Sequence, residues 1–162
     1  MRKVIFLVVL LCITALNLTA GEADKAMDEL IKCEVETAVS MLKAINAKHL
    51  NGDMTLDEAK KLGADLLRDL RYGKDGYFWA DTFEGVNVVL YGKEDVEGKN
   101  RWEAQDTKGN YFIKEISKAG RTGGGYVEYW FPKLKDSESI PKRSYALQFE
   151  PFEWVLGTGY YR

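Results

Sequence analysis

The chain has 162 residues with 23 basic and 25 acidic side chains, one histidine and two cysteines, a length that fits one domain with its own core. So few histidines and cysteines cannot assemble the nitrogen and sulfur ligand set of a zinc site. The acidic balance argues against a nucleic-acid partner, whose affinity rests on Lys and Arg neutralising phosphates.

Residues 1–20 read as an export segment. "MRK" is a short basic start, "VIFLVVLLCITAL" an apolar run, and "NLTAGEA" supplies small residues, so a secretory signal peptide cleaved after Ala20 or Ala23 is expected. The competing expectation is an uncleaved N-terminal anchor over residues 4–20, at the ~17-residue short limit of a membrane span. In both cases the folded part lies outside the cytoplasm, secreted or periplasmic, with the anchored form held at the inner membrane. Cys12 follows Leu11, where a lipid-modified cysteine would need a small residue, so no lipoprotein is expected. Without residues 1–20 the chain keeps 21 basic against 25 acidic side chains, because Arg2 and Lys3 are lost and no acid is. Cys33 then has no partner for an intramolecular disulfide and is expected to be a small buried hydrophobe.

Residues 21–71 contain no aromatic residue and no proline, whereas residues 72–162 contain all three prolines and every aromatic except Phe6. In the first stretch Met27, Leu30, Ile31, Val35, Ala38, Met41, Leu42 and Ile45 recur at three- and four-residue steps and predict a helix over about 24–49. A helix of that length, ~39 Å at 1.5 Å per residue, is expected to pack along a sheet and project beyond it. "NGD" at 51–53 breaks the pattern. Thr55 and Glu58 of "TLDE" form a capping box, and Leu56, Ala59, Leu62, Leu66 and Leu70 carry a second helix to Arg71.

The second stretch changes period. "GYFWAD" alternates Tyr77, Trp79 and Asp81 against Phe78 and Ala80; "VNVVLY", "GYVEYWF", "KRSYALQF" and "EWVLGTGYY" are also rich in β-branched and aromatic residues, giving five strands. "NYFIKEISKAG" predicts a short helix between the second and third, ended by the glycines at 123–125. "FEPFEW" predicts a hairpin turn into the last strand. This order predicts an α+β domain over 21–162, with helices in 24–71 and a sheet in 72–162. The sheet is antiparallel, covered by the N-terminal helices on one side and by a loop-and-helix insertion on the other.

Few groups here could move protons. His49 ends a helix, where an imidazolium meets the negative dipole end, and is expected to cap rather than catalyse. "NGDMTLDE" lacks the ligand spacing of an EF-hand, and "GRTGGG" lacks the ending of a phosphate loop. "KEDVEGKNR" at 93–101 alternates in sign like a solvated loop. Its last residue, Arg101, stands beside Trp102, which could hold a guanidinium toward an anion. The aromatic residues admit three readings: core, with Phe78, Val127, Phe131, Leu147 and Phe149 between sheet and helices; a stacking platform, which needs a basic groove; or a small-molecule pocket. Tyr77, Trp79, Tyr91, Tyr129, Lys142 and Tyr145 fit the pocket best.

"RYGKDGYFWAD", "NVVLYGKEDVEGKN", "GGGYVEYWFPK", "PKRSYALQF" and "EWVLGTGYY" resemble, in order and spacing, the single Cache domain found outside the membrane in bacterial methyl-accepting chemotaxis receptors and sensor histidine kinases. The resemblance covers about Asp24 to Tyr161. It implies a long N-terminal helix followed by a PAS-like five-stranded antiparallel sheet, and a pocket over that sheet for small organic acids such as acetate, propionate, pyruvate or lactate. By position it assigns the family's aromatic strand to Tyr77 and Trp79, its lysine to Lys142 and its nearby tyrosine to Tyr145. Many members carry His-Pro at the end of the second strand, where this chain has Tyr91-Gly92. Tyr91 offers only a neutral hydroxyl there, so a less acidic or larger ligand is compatible with the site. Receptors of this kind continue into a transmembrane helix and a signalling module, whereas this chain stops at Arg162. A free binding protein that presents its ligand state to a membrane receptor or histidine kinase is the expectation.

The expected site is therefore Tyr77, Trp79, Tyr91, Arg101, Tyr129, Lys142 and Tyr145, binding a carboxylate without catalysis, cofactor or metal. Lys142 and Arg101 would pair with the anion, Tyr91 and Tyr145 would donate to it, and Trp79 would cover its apolar end, with access near Arg101 and the glycines at 123–125. The alternative is a structural or protein-interaction module whose sheet face is filled by its own side chains. In either case the long helix offers a surface for homodimerisation.

Overall fold

The computed structural model describes residues 20–133 and 138–162; the expected export segment lies outside the described residues except for Ala20, which opens the first helix. Helix α1 (Ala20–Leu50) runs 31 residues. It buries Ile31, Val35, Ala38, Val39, Leu42 and Ile45, while Leu30 stays 41% exposed. The chain reverses at Gly52, whose φ of 82° suits glycine. Helix α2 (Leu56–Asp69) then starts at the expected capping box: the Glu58 amide donates to Thr55 Oγ1 at 3.2 Å and the Thr55 amide donates to Glu58 Oε2 at 2.8 Å. His49 Nδ1 lies 3.1 Å from the Met54 carbonyl and ties this reversal together.

The sheet follows as β3 (Trp79–Thr82), β4 (Asn87–Leu90), β5 (Gly125–Pro132), β6 (Ser139–Phe149) and β7 (Trp154–Tyr161), ordered β4-β3-β7-β6-β5 and antiparallel throughout. Helix α3 (Phe112–Arg121) lies between β4 and β5 in the chain. The expected first strand is divided. Gly76–Tyr77 (β2) pairs instead with Arg71–Tyr72 (β1) in a separate two-stranded ribbon, and the long strand begins only at Trp79.

Strand alternation splits the apolar residues into two cores, one on each face. Against α1 and α2 pack Phe78, Ala80, Val89, Phe149, Phe152, Trp154 and Leu156. On the other face Tyr77, Trp79, Leu90, Tyr129, Ala146 and Val155 meet Phe112, Ile113 and Ile116 of α3. Val127 and Phe131, expected between sheet and helices, join this second cluster against α3. They share the parity of Tyr129 on β5, so they cannot reach α1. Cys33 is exposed rather than buried, because it sits on the side of α1 opposite Ile31 and Val35.

Candidate ligand site on the outer sheet face

Register decides which side chains meet. Tyr129, Lys142 and Tyr161 lie directly across from one another on β5, β6 and β7, so all three stand on one face. Two rows along, Trp79 lies opposite Gly157, which lies opposite Ala146. Ser144, Ala146, Gly157 and Gly159 thus make a floor of small residues at the centre of this face. A methyl group on Gly157 would collide with the Trp79 indole and the Tyr145 carbonyl, so the glycine is what lets the indole lie over β7.

Lys142 is the polar centre of the face. It is 2% exposed, and Nζ donates to Tyr77 Oη at 2.7 Å. The rings of Tyr77, Tyr161 and Phe131 lie 4.4, 5.1 and 5.4 Å from Nζ. Tyr77 Oη is 3.3 Å from Tyr161 Oη, and Tyr161 Oη donates to the Pro132 carbonyl at 2.9 Å. Among the described residues no carboxylate reaches ion-pair distance of Nζ. Burial, aided by repulsion from Arg101, pushes the Lys142 ammonium down to about 7, because an unpaired charge out of water favours its neutral form.

Arg101 does reach this face, but its charge is already matched. Its Nη2 lies 3.1 and 3.2 Å from the two oxygens of Asp81, itself 2% exposed and bonded by Asn87 Nδ2 at 2.9 Å. Burial still raises the Asp81 carboxyl above its ordinary value, against the pull of Arg101 and Asn87. Arg101 and Asp81 therefore match each other on this face, and Lys142 has no acid of its own among the described residues. Among these residues two buried donors of this face, Trp79 Nε1 and Arg101 Nε, have no hydrogen-bond partner, and neither does the acceptor Asn87 Oδ1. Buried donors are rarely left so. Phe112 of α3 stacks on Tyr129 at 5.1 Å with 17° between planes, and Tyr129 Oη lies 3.0 Å from Ser144 Oγ, which closes the apolar side.

Five of the seven expected residues, Tyr77, Trp79, Arg101, Tyr129 and Lys142, are brought together. Tyr145 is not. It projects to the other face and packs against Ile31 and Val35 of α1, because three residues along a strand from Lys142 is an odd step. Tyr91 lies just past β4, 36% exposed. The Arg71 guanidinium sits 3.4 Å over its ring, and the Tyr77 ring is 5.9 Å away, so Tyr91 borders the cluster without entering it. Gly124 borders Tyr145 and Leu147 and Gly125 borders Ala119, so these glycines do not open onto Lys142. Sequence reading passed over Asp81, Ser144 and Tyr161. The Tyr77, Trp79, Asp81 alternation already carried the first of these.

A groove of about 660 Å³ runs along α3 and β5 past Tyr111, Glu115, Lys118 and Tyr126, and touches neither Lys142 nor Trp79. It is open to solvent, whereas recognition of a small ion needs groups held away from water. A cavity of about 110 Å³ touches Tyr129 and Lys142, but Glu128, Trp130, Pro141, Arg143 and Arg162 line it too, and it reaches none of Tyr77, Trp79 and Arg101.

The profile of the family described as single Cache domain 2 matches residues 23–162. The chain belongs to that family. The Cache domain is 28% identical over 149 residues to the sensor histidine kinase MctS of Rhizobium johnstonii, an alignment spanning 90% of this chain and 32% of the kinase. It is 26% identical over 156 residues to the methyl-accepting chemotaxis protein McpP of Pseudomonas putida, spanning 96% of this chain and 29% of the receptor. The chain thus spans about a third or less of the length of these relatives. A solved structure described as the basis for carboxylic acid recognition by a Cache chemosensory domain superimposes with a TM-score of 0.82 at 28% identity, over 88% of this chain and 98% of that one. Among the described residues no helix is long and apolar enough to cross a membrane, and no cluster of His, Cys, Asp and Glu could hold a metal ion.

Proposed function

We propose that this Cache domain senses a small organic acid outside the cytoplasm, binding the carboxylate without chemistry on the face built by Tyr77, Trp79, Arg101, Tyr129 and Lys142. The observation that carries this reading is the buried Lys142 amine, with no acid partner among the described residues, on the same sheet face as two buried donors that lack acceptors. A carboxylate supplies what both are missing: one negative charge and several lone pairs in a shielded place, where charge-assisted hydrogen bonds are strong. Lys142 Nζ and the Trp79 and Arg101 N–H groups donate to it, and the rings of Tyr129, Phe131 and Phe112 take its apolar end. The acid-binding Cache neighbour and the receptor and kinase relatives support the same reading. Bound or free, the domain reports to a membrane receptor or histidine kinase.

Ligand size caps affinity. At about −1.5 kcal/mol per heavy atom, a four-atom acetate reaches at best about −6 kcal/mol, a Kd of tens of micromolar. A thermal-shift screen of the full chain against C2 to C6 acids, amino acids and neutral controls tests the proposal, since ligand at a hundred times Kd adds about 2.7 kcal/mol. A rise in Tm with one acid class supports it. One observation favours the rival reading of an interaction module, namely that α3 already packs Phe112, Ile113 and Ile116 onto the face. A folded sample that shifts with no acid would decide for that rival.

A further inference from the structure

Lys142 reaches its position with no acid to accompany it. From β2 it meets the hydroxyl and ring of Tyr77, from β7 the ring of Tyr161 and from β5 the ring of Phe131, with Tyr129 as its cross-strand neighbour. Helix α3 turns Phe112, Ile113 and Ile116 to this face, and its Lys114 pairs with Glu103 instead. Of the remaining charged groups near the face, Arg101 repels the ammonium, and the Asp81 carboxylate is taken up by Arg101 and Asn87. Burial and Arg101 disfavour the charged amine, the rings of Tyr77, Tyr161 and Phe131 offset this only in part, and a bound anion would be the first full negative charge beside Nζ.

We propose that this face binds its anion together with a proton, taken from solvent onto the Lys142 Nζ lone pair, so that occupancy depends jointly on acid concentration and pH. The inference rests on the carboxylate reading of the site. The proton forms an N–H bond, and the resulting ammonium donates to the bound carboxylate, so the complex gains an ion pair that neither partner has alone. Burial that brings the free amine down to about 7 sets where the coupling appears. A bound carboxylate favours the charged form and raises that value. Affinity is then full below about pH 7 and falls above it, by up to about ten-fold per pH unit, until the value in the complex is passed.

Calorimetric titration of the full chain with acetate, propionate and pyruvate, at pH 6.0 in bis-Tris and at pH 8.5 in Tris, each repeated in a second buffer of that pH range with a different ionisation heat, measures affinity and proton uptake together. The expected result is a Kd at least ten-fold weaker at pH 8.5, with close to one proton taken up per site there and little at pH 6.0. Lys142→Arg keeps a cation at every pH and should flatten the dependence. The wild-type proton count needs no variant, so a Lys142→Arg chain that fails to fold leaves the test intact. Equal affinities at both pH values with no buffer-dependent heat would overturn proton coupling and leave acid binding standing. No heat with any acid on a folded chain would overturn both.

Discussion

An amine enclosed by aromatic rings costs stability that a surface lysine does not, and Lys142 is such an amine. Replacing it by methionine keeps the volume and removes the desolvated charge. Lys142→Met is therefore expected to raise the stability of the domain, less the lost bond to Tyr77 Oη, by on the order of 1 kcal/mol, while abolishing any acid-induced shift; denaturant melts with and without ligand check both halves. Arg101 carries the opposite expectation. Its guanidinium is the ion-pair partner of a carboxylate that is 2% exposed, so Arg101→Ala leaves Asp81 buried with an uncompensated charge and should cost about 3–5 kcal/mol even without ligand. A loss below about 1 kcal/mol in the same melts would mean that water replaces the arginine. How far these residues were legible in the sequence depends on strand parity. Tyr77, Trp79 and Lys142 could be placed from alternation and resemblance. Tyr145 was mistaken although Lys142 and Tyr145 are an odd number of residues apart on one predicted strand, which sends them to opposite faces. The pairing of Arg101 with Asp81 spans 20 residues through a loop, and no local pattern encodes such a contact.

At the scale of elements, Asp28 ties the N-terminal part of α1 to the sheet. Asp28 accepts from Arg143 Nε and Nη2 at 2.7 and 2.9 Å and from Tyr160 Oη at 3.2 Å. Tyr126 Oη donates to the Asp28 carbonyl at 3.1 Å. The Arg143 hydrogen bonds hold the Asp28 carboxyl below its ordinary range. A lowered folded value means that the stabilisation is fully present above the unfolded pKa of about 3.9 and is lost as pH falls through the folded value. Wild type is thus expected to be more stable than Asp28→Asn near pH 6, with the gap closing toward pH 2–3 in parallel urea melts. A gap independent of pH would remove the ion pair as its source. The helices were readable because period and capping box are local. The division of "GYFWAD" into β2 and β3 was not, because the β1–β2 ribbon depends on pairing Arg71 with Tyr77 and Tyr72 with Gly76, and that is set by the end of α2.

Across the whole molecule, the sheet separates two cores: Phe78, Phe149, Trp154 and Leu156 pack against the helices α1 and α2, and Tyr77, Trp79 and Tyr129 wall the proposed site. Neighbouring residues on two strands belong to both sides. On β6, Lys142 faces the site and Arg143 grips Asp28; on β7, Tyr161 touches the site and Tyr160 touches Asp28. Arg162 adds a contact of 3.1 Å to Asp24, so both ends of the described domain meet one backbone step away from the ligand groups. Acid binding is expected to slow amide hydrogen exchange at residues 24–30 of α1 and 158–161 of β7; protection confined to β5 would mean that occupancy does not reach α1. The central claim is that a carboxylate sits on Lys142. The measurement that tests it most directly is a crystal structure with the acid that raises Tm most. The account predicts a carboxylate within hydrogen-bond distance of Lys142 Nζ, accepting also from Trp79 Nε1 or Arg101 Nε. An acid bound in the groove along α3 and β5, with Lys142 still holding only Tyr77, would contradict it.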